Sequence, residues 1–463
     1  MLKDKKIIIY LLNKKTQKGC RIMVKYDLLV IGFGKAGKTL AATFAKEGKK
    51  VAVVEESSAM YGGTCINIGC IPTKTLIVAA DNKKDYNEAK ATRDKVVAKL
   101  NAKNFAMLDN SPNVDVYTAR AKFVSNKVVE ISANGETKQL EGEVVVINTG
   151  AKNNVLPIPG LTTSKNVYDS TELQKLEKAP KTLGIIGGGN IGLEFASLYS
   201  RLGVKVTVID HSDRILVRED ADVAELAKGY LEETGVEFKL GSTTKEVRNN
   251  GENVVVVTEE HGELEFEAVL HATGRRANTE NLGLENTDIE LRPNGSIVVD
   301  EYCQTAVENV FAVGDVNGGL QFTYVSLDDF RIVNGYLHGK KEYTTADRKN
   351  VPYSTFISPA LSHVGLHEEE AKAQYSNVAV GSLLVANMPR GAVNQDPRGI
   401  FKVVVDKDTN LILGATLFSK NSEEIINIIK MAIDNKIPYT YIRDQIFTHP
   451  TMAENLNDVF KLV

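Results

Sequence analysis

Apolar residues along this chain fall in short runs separated by amphipathic stretches, and the first runs set the pattern. Tyr26–Ile31 reads as a buried strand, Gly32-Phe33-Gly34-Lys35-Ala36-Gly37 as a glycine turn, and an alanine-rich helix follows to about Lys46. A second strand, Val51–Val54, ends in Glu55. Strand, glycine turn, helix, strand and acid in that order predict a dinucleotide-binding unit. The glycines allow a tight turn and bring backbone N–H groups up to a pyrophosphate at the helix N-terminus, while the acid accepts ribose hydroxyls. The order returns at Leu183–Ile186, Gly187-Gly188-Gly189-Asn190-Ile191-Gly192, a helix to about Leu202, and a strand Val204–Ile209 ending in Asp210. In both copies the acid stands eighteen positions after the third glycine. One such fingerprint is weak, because a simple turn can mimic it. Two copies with matched strands and acids predict two dinucleotide sites.

The remaining pattern fits around these units. Val114–Ile131 and Glu141–Ile147 read as alternating strands closing on Asn148-Thr149-Gly150. Pro157-Ile158-Pro159-Gly160 is a turn-rich linker, and a parallel closing phrase, Ala272-Thr273-Gly274-Arg275, ends the second unit. Val310–Val313 is a buried strand running into Gly314-Asp315, whose acid suits a sugar or ribityl hydroxyl, or else a helix N-cap. After Thr345 come strands at Val378–Met388, Phe401–Val405 and Leu411–Leu417, then helices at Ser422–Asn435 and Thr440–Gln445, a sheet-plus-helix third domain.

The reactive chemistry sits just after the first unit, in Gly62-Gly63-Thr64-Cys65-Ile66-Asn67-Ile68-Gly69-Cys70-Ile71-Pro72-Thr73-Lys74. On a regular helix, residues five apart have Cα atoms roughly 8–9 Å apart; a disulfide needs about 4.4–6.8 Å. The Cys65–Cys70 stretch must therefore leave regular helix if the two sulfurs are to meet, and Gly69 is the permissive residue. Pro72 suits the first turn of a following helix, whose positive end would lower the pKa of a Cys70 thiol. A zinc half-site or two inert buried thiols are the alternatives, but zinc wants four ligands and no matching Cys pair exists elsewhere. A redox pair in the first unit implies that this unit holds the cofactor that stays, a flavin (FAD). The second unit then takes a diffusible nicotinamide. Asp210 favours NADH over NADPH by repelling a 2′-phosphate, softened by nearby His211 and Arg214.

Composition narrows the class. With 463 residues the chain accommodates about three domains. A net charge of −3 gives no nucleic-acid footprint, and four cysteines do not make a secreted disulfide scaffold. No apolar run reaches membrane-spanning length. A cytoplasmic enzyme is expected. Met1–Ile22 is lysine-rich around the apolar Ile7–Leu12, without a signal-peptide cleavage site; a membrane-surface segment is one reading. The preferred one is that translation starts at Met23, with Lys18-Gly19 encoded by a ribosome-binding sequence, so that residues 1–22 are not native.

From Met23 onward the cysteine segment, Gly314-Asp315 and Thr448-His449-Pro450-Thr451 with Glu454 together resemble the class I flavoprotein disulfide reductases, whose members include lipoamide dehydrogenase, glutathione reductase and mercuric reductase. Within that family, Ile31–Leu40, Ala59–Cys65, Gly319–Asp329 and Arg443–Pro450 resemble the reactive chlorine resistance branch, the RclA-type hypothiocyanous acid reductases. The resemblance implies an α/β fold of two Rossmann-like dinucleotide-binding domains, for FAD and NAD(P), plus a C-terminal α+β dimerisation domain. Residues 23–150 and 275–345 would form the FAD-binding domain, 151–274 the NAD(P)-binding domain and 346–463 the dimerisation domain. It further implies that Cys70 faces the flavin in a charge-transfer state and that Cys65 attacks substrate. Lys74 would pair with Glu194, which gates the nicotinamide, and Asp315 would hold the ribityl chain. His449, oriented by Glu454, would act as acid/base for Cys65 from the partner subunit of a homodimer. Taken together, the cofactor-binding residues are Gly32, Gly34, Gly37, Glu55, Thr64, Lys74, Thr149, Gly150, Gly187, Gly189, Ile191, Gly192, Glu194, Asp210, Gly274, Arg275, Gly314 and Asp315. No residue is assigned to a resident metal.

The chain shows no C-terminal cysteine, no N-terminal Cys-x-x-Cys module, and carries Gln321-Phe322-Thr323-Tyr324 where lipoamide and glutathione reductases have another phrase. The expected function is reduction of a small oxidant, hypothiocyanous acid or a related chlorine or thiocyanate species, with Cu(II) a further candidate. Dihydrolipoamide dehydrogenase and a flavin-bound redox sensor are the alternatives. Isolated Cys303 reads as a small buried hydrophobe.

Overall fold

The computed structural model describes residues 23–133 and 136–463; the question of the start at Met23 lies outside them. The first unit builds a sheet in the order Val114–Thr118, Val51–Glu55, Met23–Ile31, Glu136–Ile147, with Val310–Ala312 added in parallel to the last strand. Leu28 to Ile31 and Val51 to Val54 are almost wholly buried, as continuous apolar runs in a parallel sheet must be. The long stretch read as Val114–Ile131 is three strands, Val114–Thr118, Arg120–Ser125 and Val128–Ala133. It breaks where the Ala119 N–H turns to the Glu55 carbonyl and again at a hairpin turn.

The second unit repeats the plan. Val236–Lys239, Lys205–Ile209, Thr182–Ile186, Ala268–His271 and Val167–Tyr168 form a parallel sheet, flanked by the antiparallel meander Thr244–Asn250, Asn253–Thr258, Gly262–Phe266. Residues 151–153 and 275–277 pair antiparallel where the chain crosses between the units.

The C-terminal part is a five-stranded antiparallel sheet, Tyr353–Thr355, Leu361–Gly365, Leu411–Phe418, Ile400–Asp406, Val378–Leu384. Helices Ser422–Asp434, Tyr439–Asp444 and Asn455–Val459 accompany it. The strand read as continuing to Met388 stops at Leu384, where a short 3₁₀ turn, Val385–Asn387, takes over and buries Val385. Among the described residues, no helix is long and apolar enough to cross a membrane.

Candidate active site

Both glycine turns are built the same way. Gly32 and Gly187 have φ of +95° and +113°, and a Cβ on either would strike the Asn148 or Ala272 carbonyl, at 2.3 and 2.5 Å. These are the strand ends that lead into Thr149-Gly150 and Thr273-Gly274. Gly37 packs against Val30 and Gly192 against the Gly187 carbonyl, so the third glycine lets helix and turn approach. The acids also match: Glu55 accepts the Phe33 N–H at 3.0 Å and Asp210 the Gly188 N–H at 2.5 Å, each 22 residues upstream. Neither helix Lys35–Lys46 nor helix Asn190–Arg201 has a side-chain N-cap; in the first, Ser326 Oγ and Asn148 Oδ1 accept the Ala36 and Gly37 N–H groups, whereas the first turn of the second keeps its N–H groups for an anion. The Cβ position of Gly189 faces open space. These features fit a pyrophosphate at each turn.

A continuous cavity of about 3150 Å³ runs from the Glu55 end past both turns, and Thr64, Thr149, Gly150, Ile191, Gly274, Arg275 and Asp315 line it. That is several times the size of an ordinary small-molecule pocket and suits two dinucleotides. Asp315 is pushed up by burial, countered by the Arg275 charge. Gly314 donates its N–H to buried Asp329 at 2.7 Å, and Arg348 pairs with Asp329 in turn.

The thiols lie in the middle of this cavity. Gly63, at φ +82°, sits so close to the first turn that a Cβ would be 2.9 Å from Gly34 Cα. This pins Cys65 beside the phosphate loop. Helix Thr64–Asn67 then ends, Ile68 and Gly69 both donate to the Thr64 carbonyl, and helix Cys70–Asp81 starts at the second cysteine. Regular helix is broken at Gly69, as the sulfur spacing requires. Cys65 and Cys70 are free thiols that share a hydrogen bond.

That bond drives the two apart electrostatically. Cys70 is held below the ordinary thiol range, first by the hydrogen bond from Cys65 working against burial, then by Thr323 and the Lys74 charge. The Cys65 thiol is pushed up by its role as donor to Cys70 and by burial. Thr323 Oγ1 lies 3.7 Å from Cys70 Sγ. Tyr324, stacked on Phe322 and donating to the Pro352 carbonyl at 2.6 Å, borders the same space.

Lys74 Nζ contacts the two Glu194 carboxylate oxygens at 2.8 and 2.6 Å, and Glu194 also accepts the Phe356 N–H. Lys74 further lies over the Phe356 ring. Lys74 and Glu194 thus join the thiol helix, the second unit and the C-terminal domain.

His449 Nδ1 meets Glu454 Oε2 at 2.7 Å, and the other Glu454 oxygen accepts the Thr451 N–H, so the carboxylate is fixed from both sides. Within one chain these two residues are not among those lining the thiol cavity, and the imidazole is 70 % exposed. Ile446, three residues earlier, is 99 % exposed.

Sequence reasoning missed several contributors. Asn148 takes the Gly37 N–H on its amide oxygen and donates to Val313, locking the turn to the last strand. Lys38 is buried against the Gly62 carbonyl and Asn104, held down to about 8 by burial and by Lys35, with the Cys65 charge acting the other way. A charged residue on the apolar face of the first helix was the available signal. Cys303 is fully buried, as expected.

Comparison with known proteins agrees with this geometry. Residues 26–329 match the family described as pyridine nucleotide-disulphide oxidoreductase, and residues 351–460 match its dimerisation domain. RclA of Escherichia coli K12, a probable pyridine nucleotide-disulfide oxidoreductase, is 48 % identical over 95 % of this chain and all of its own length. The solved Cu(II) complex of HOCl-induced flavoprotein disulfide reductase RclA from that species superposes with a TM-score of 0.94 at 47 % identity, covering 95 % of this chain and 100 % of that one. Dihydrolipoyl dehydrogenase of Bacillus subtilis is 32 % identical, over 94 % of this chain and 97 % of its own. The chain belongs to the pyridine nucleotide-disulphide oxidoreductase family and is an enzyme of its flavoprotein disulfide reductase kind.

Proposed function

We propose that this chain forms a cytoplasmic homodimer that spends NADH, in preference to NADPH, on reducing a small electrophilic oxidant, hypothiocyanous acid foremost, through Cys65 and Cys70. The observation that carries the reading is the pair of free thiols, Cys65 and Cys70, lining one cavity with both glycine turns. Bound FAD, reduced by the nicotinamide, supplies the electron pair that opens the Cys65–Cys70 disulfide.

The protein's own residues do the rest. Gly32, Gly34 and Gly37 with Glu55 seat one dinucleotide; Gly187, Gly189 and Gly192 with Asp210 seat the other. Asp315 accepts hydroxyls of the flavin side chain. Lys74, held by Glu194, keeps positive charge beside the Cys70 thiolate. Cys65 reacts with substrate, its proton passing to His449 of the second copy, whose imidazole is held by Glu454. The Cys65 thiolate attacks the sulfur of hypothiocyanous acid. The S–O bond breaks, and hydroxide leaves as water with the proton from His449. The Cys70 thiolate then attacks the Cys65 sulfur, expelling thiocyanate and closing the disulfide. The thiol pair gives up two electrons as the disulfide forms, and hypothiocyanous acid takes up the same two as its S–O bond breaks, leaving thiocyanate and water.

Support for the homodimer comes from the dimerisation domain and from exposed Ile446 beside an exposed base that a lone chain leaves away from its thiol. Cu(II) is the second oxidant considered, since the similar RclA was solved as a Cu(II) complex and paired thiolates are soft ligands for copper. Dihydrolipoamide oxidation draws less support, the dihydrolipoyl dehydrogenase relative being 32 % identical against 48 % for RclA. Stopped-flow oxidation of NADH and NADPH with hypothiocyanous acid, Cu(II) and lipoamide tests the proposal. Fast turnover with hypothiocyanous acid is expected, and none with it would refute that substrate.

A further inference from the structure

Away from the thiols, Glu219, His363 and His367 bring one possible ligand atom each to within 4.8 Å of one another. Three separate pieces of chain supply them. Glu219 comes from the loop just before helix Ala221–Glu233 of the second unit, His363 from the middle of strand Leu361–Gly365, and His367 from the start of helix Glu368–Gln374. The site therefore spans the seam between the nicotinamide unit and the C-terminal sheet. The rings of His363 and His367 stack, centroids 3.7 Å apart and 13° from parallel.

Burial makes this arrangement costly as it stands. Glu219 is 5 % and His363 3 % exposed. Glu219 Oε1 accepts the Tyr353 hydroxyl at 2.7 Å, but its Oε2 is buried with no hydrogen-bond partner, and so is Nδ1 of His367. A buried carboxylate oxygen without a donor keeps the full cost of its lost hydration. Among the described residues no salt bridge reaches Glu219, and nearby Lys402 is occupied by Asp220, Asp222 and Glu368.

We propose that Glu219, His363 and His367 bind a divalent transition-metal ion of borderline softness, zinc in type, that ties the nicotinamide unit to the C-terminal sheet. Two imidazoles and a carboxylate are a common donor set for such an ion. The surroundings match what ligating histidines need, a hydrogen-bond acceptor for the other ring nitrogen. His367 Nδ1 points at Asp220 Oδ1 from 3.8 Å. His363 Nε2 donates to the Gly365 carbonyl at 3.0 Å, the outer partner, which leaves Nδ1, 2.8 Å from the Thr416 hydroxyl, as the ligating nitrogen. Tyr353, opposite His363 in the sheet and 3.3 Å from His367 Nε2, links the group through its hydroxyl. Glu219, Tyr353 and His363 line the large cavity, which gives the ion a way in. Ligand atoms around tetrahedral zinc lie about 3.4 Å apart at bond lengths of ~2.0–2.1 Å, so on binding the three side chains draw together and the two rings turn out of their stacked, near-parallel arrangement to bring the ion into both ring planes. The site uses neither Cys65 nor Cys70 and stands independently of the oxidant proposed above.

The test uses FAD-loaded dimer stripped of metal by a chelator, in a Cys65→Ser/Cys70→Ser background that removes the thiols as competing ligands. Zinc is titrated by calorimetry and by competition with a chromophoric chelator. A single ion per chain is expected, with affinity falling about 100-fold in Glu219→Gln and in His367→Ala, while both variants keep the flavin content and metal-free melting temperature of the background. Tyr353→Phe, which leaves the ligands in place, retains binding. Anomalous scattering from a zinc-soaked crystal should place the ion between Glu219 and the two rings. No stoichiometric zinc in the background protein, affinity unchanged in both ligand variants, or an anomalous peak elsewhere would overturn the proposal.

Discussion

Lys74→Met and Glu194→Gln remove opposite charges from one ion pair, and the thiol beside it should respond with opposite signs. Lys74 lies four residues after Cys70 on helix Cys70–Asp81, one turn on and on the same face. At roughly 6–8 Å and an effective dielectric constant near 20, a full charge contributes about 2–3 kcal/mol, or roughly 1.5–2 pKa units. Lys74→Met should therefore raise the Cys70 pKa by about that amount, since Lys74 lowers it and Glu194 raises it. Glu194→Gln should lower it, and the double variant should return close to the native protein. The lysine variant should also be destabilised by about 3 kcal/mol. That is the low end for a broken buried pair, because Lys74 keeps 29 % of its side chain exposed while the abandoned Glu194 keeps only 8 %. The pH dependence of thiolate absorbance and of alkylation rate in the dithiol form reads the first effect, and denaturant unfolding the second. Shifts of the same sign in both single variants, or none beyond about 0.3 units, would refute the electrostatic account of Cys70.

Glu55 is raised to about 7 by burial, so without ligand it carries a proton near neutral pH that ribose hydroxyls would displace. FAD binding to apoprotein should release about one proton near pH 6 and tighten as pH rises through about 7; calorimetry in buffers of different ionisation enthalpy, with Glu55→Gln as control, measures both. The raised carboxyl also favours the apoprotein fold fully below its free value of 4.5, a contribution lost as pH rises through about 7. Gly189→Ala should leave the melting temperature unchanged but raise KM for the nicotinamide, because its Cβ enters open space meant for a phosphate. Gly192→Ala should unfold the second turn, its Cβ falling 1.9 Å from the Gly187 carbonyl; circular dichroism and cofactor kinetics separate the two. Mixed dimers of Cys65→Ser and His449→Ala chains should recover about half of native activity if each site takes its base from the other copy; no recovery would place the base elsewhere.

Local chemistry was legible where local geometry decides it. The glycine turns, their acids and the Gly69 break follow from backbone sterics within a few residues, and each stands in the structure where spacing put it. Lys74 and Glu194 are 120 residues apart, and their pairing came from family resemblance; no local rule brings them together. Thr323 at the Cys70 sulfur and Asn148 at the first turn depend on strands and helices meeting across the sheet, which periodicity does not encode. The meeting of Glu219 with His363 and His367 is of the same kind, since no short-range motif joins them. His449 shows the remaining limit: its partner carboxylate is five residues away and readable, whereas its thiol partner is not supplied by the same cavity of one chain.

The central claim is that electrons leave the enzyme through the Cys65–Cys70 pair, and anaerobic titration with NADH tests it most directly. Native holoenzyme should take up one hydride equivalent beyond that needed for its flavin and develop long-wavelength thiolate-to-flavin absorbance. Cys65→Ser and Cys70→Ser should stop at the flavin and lose turnover with hypothiocyanous acid. Equal uptake by native and variant proteins, with turnover intact, would contradict the account.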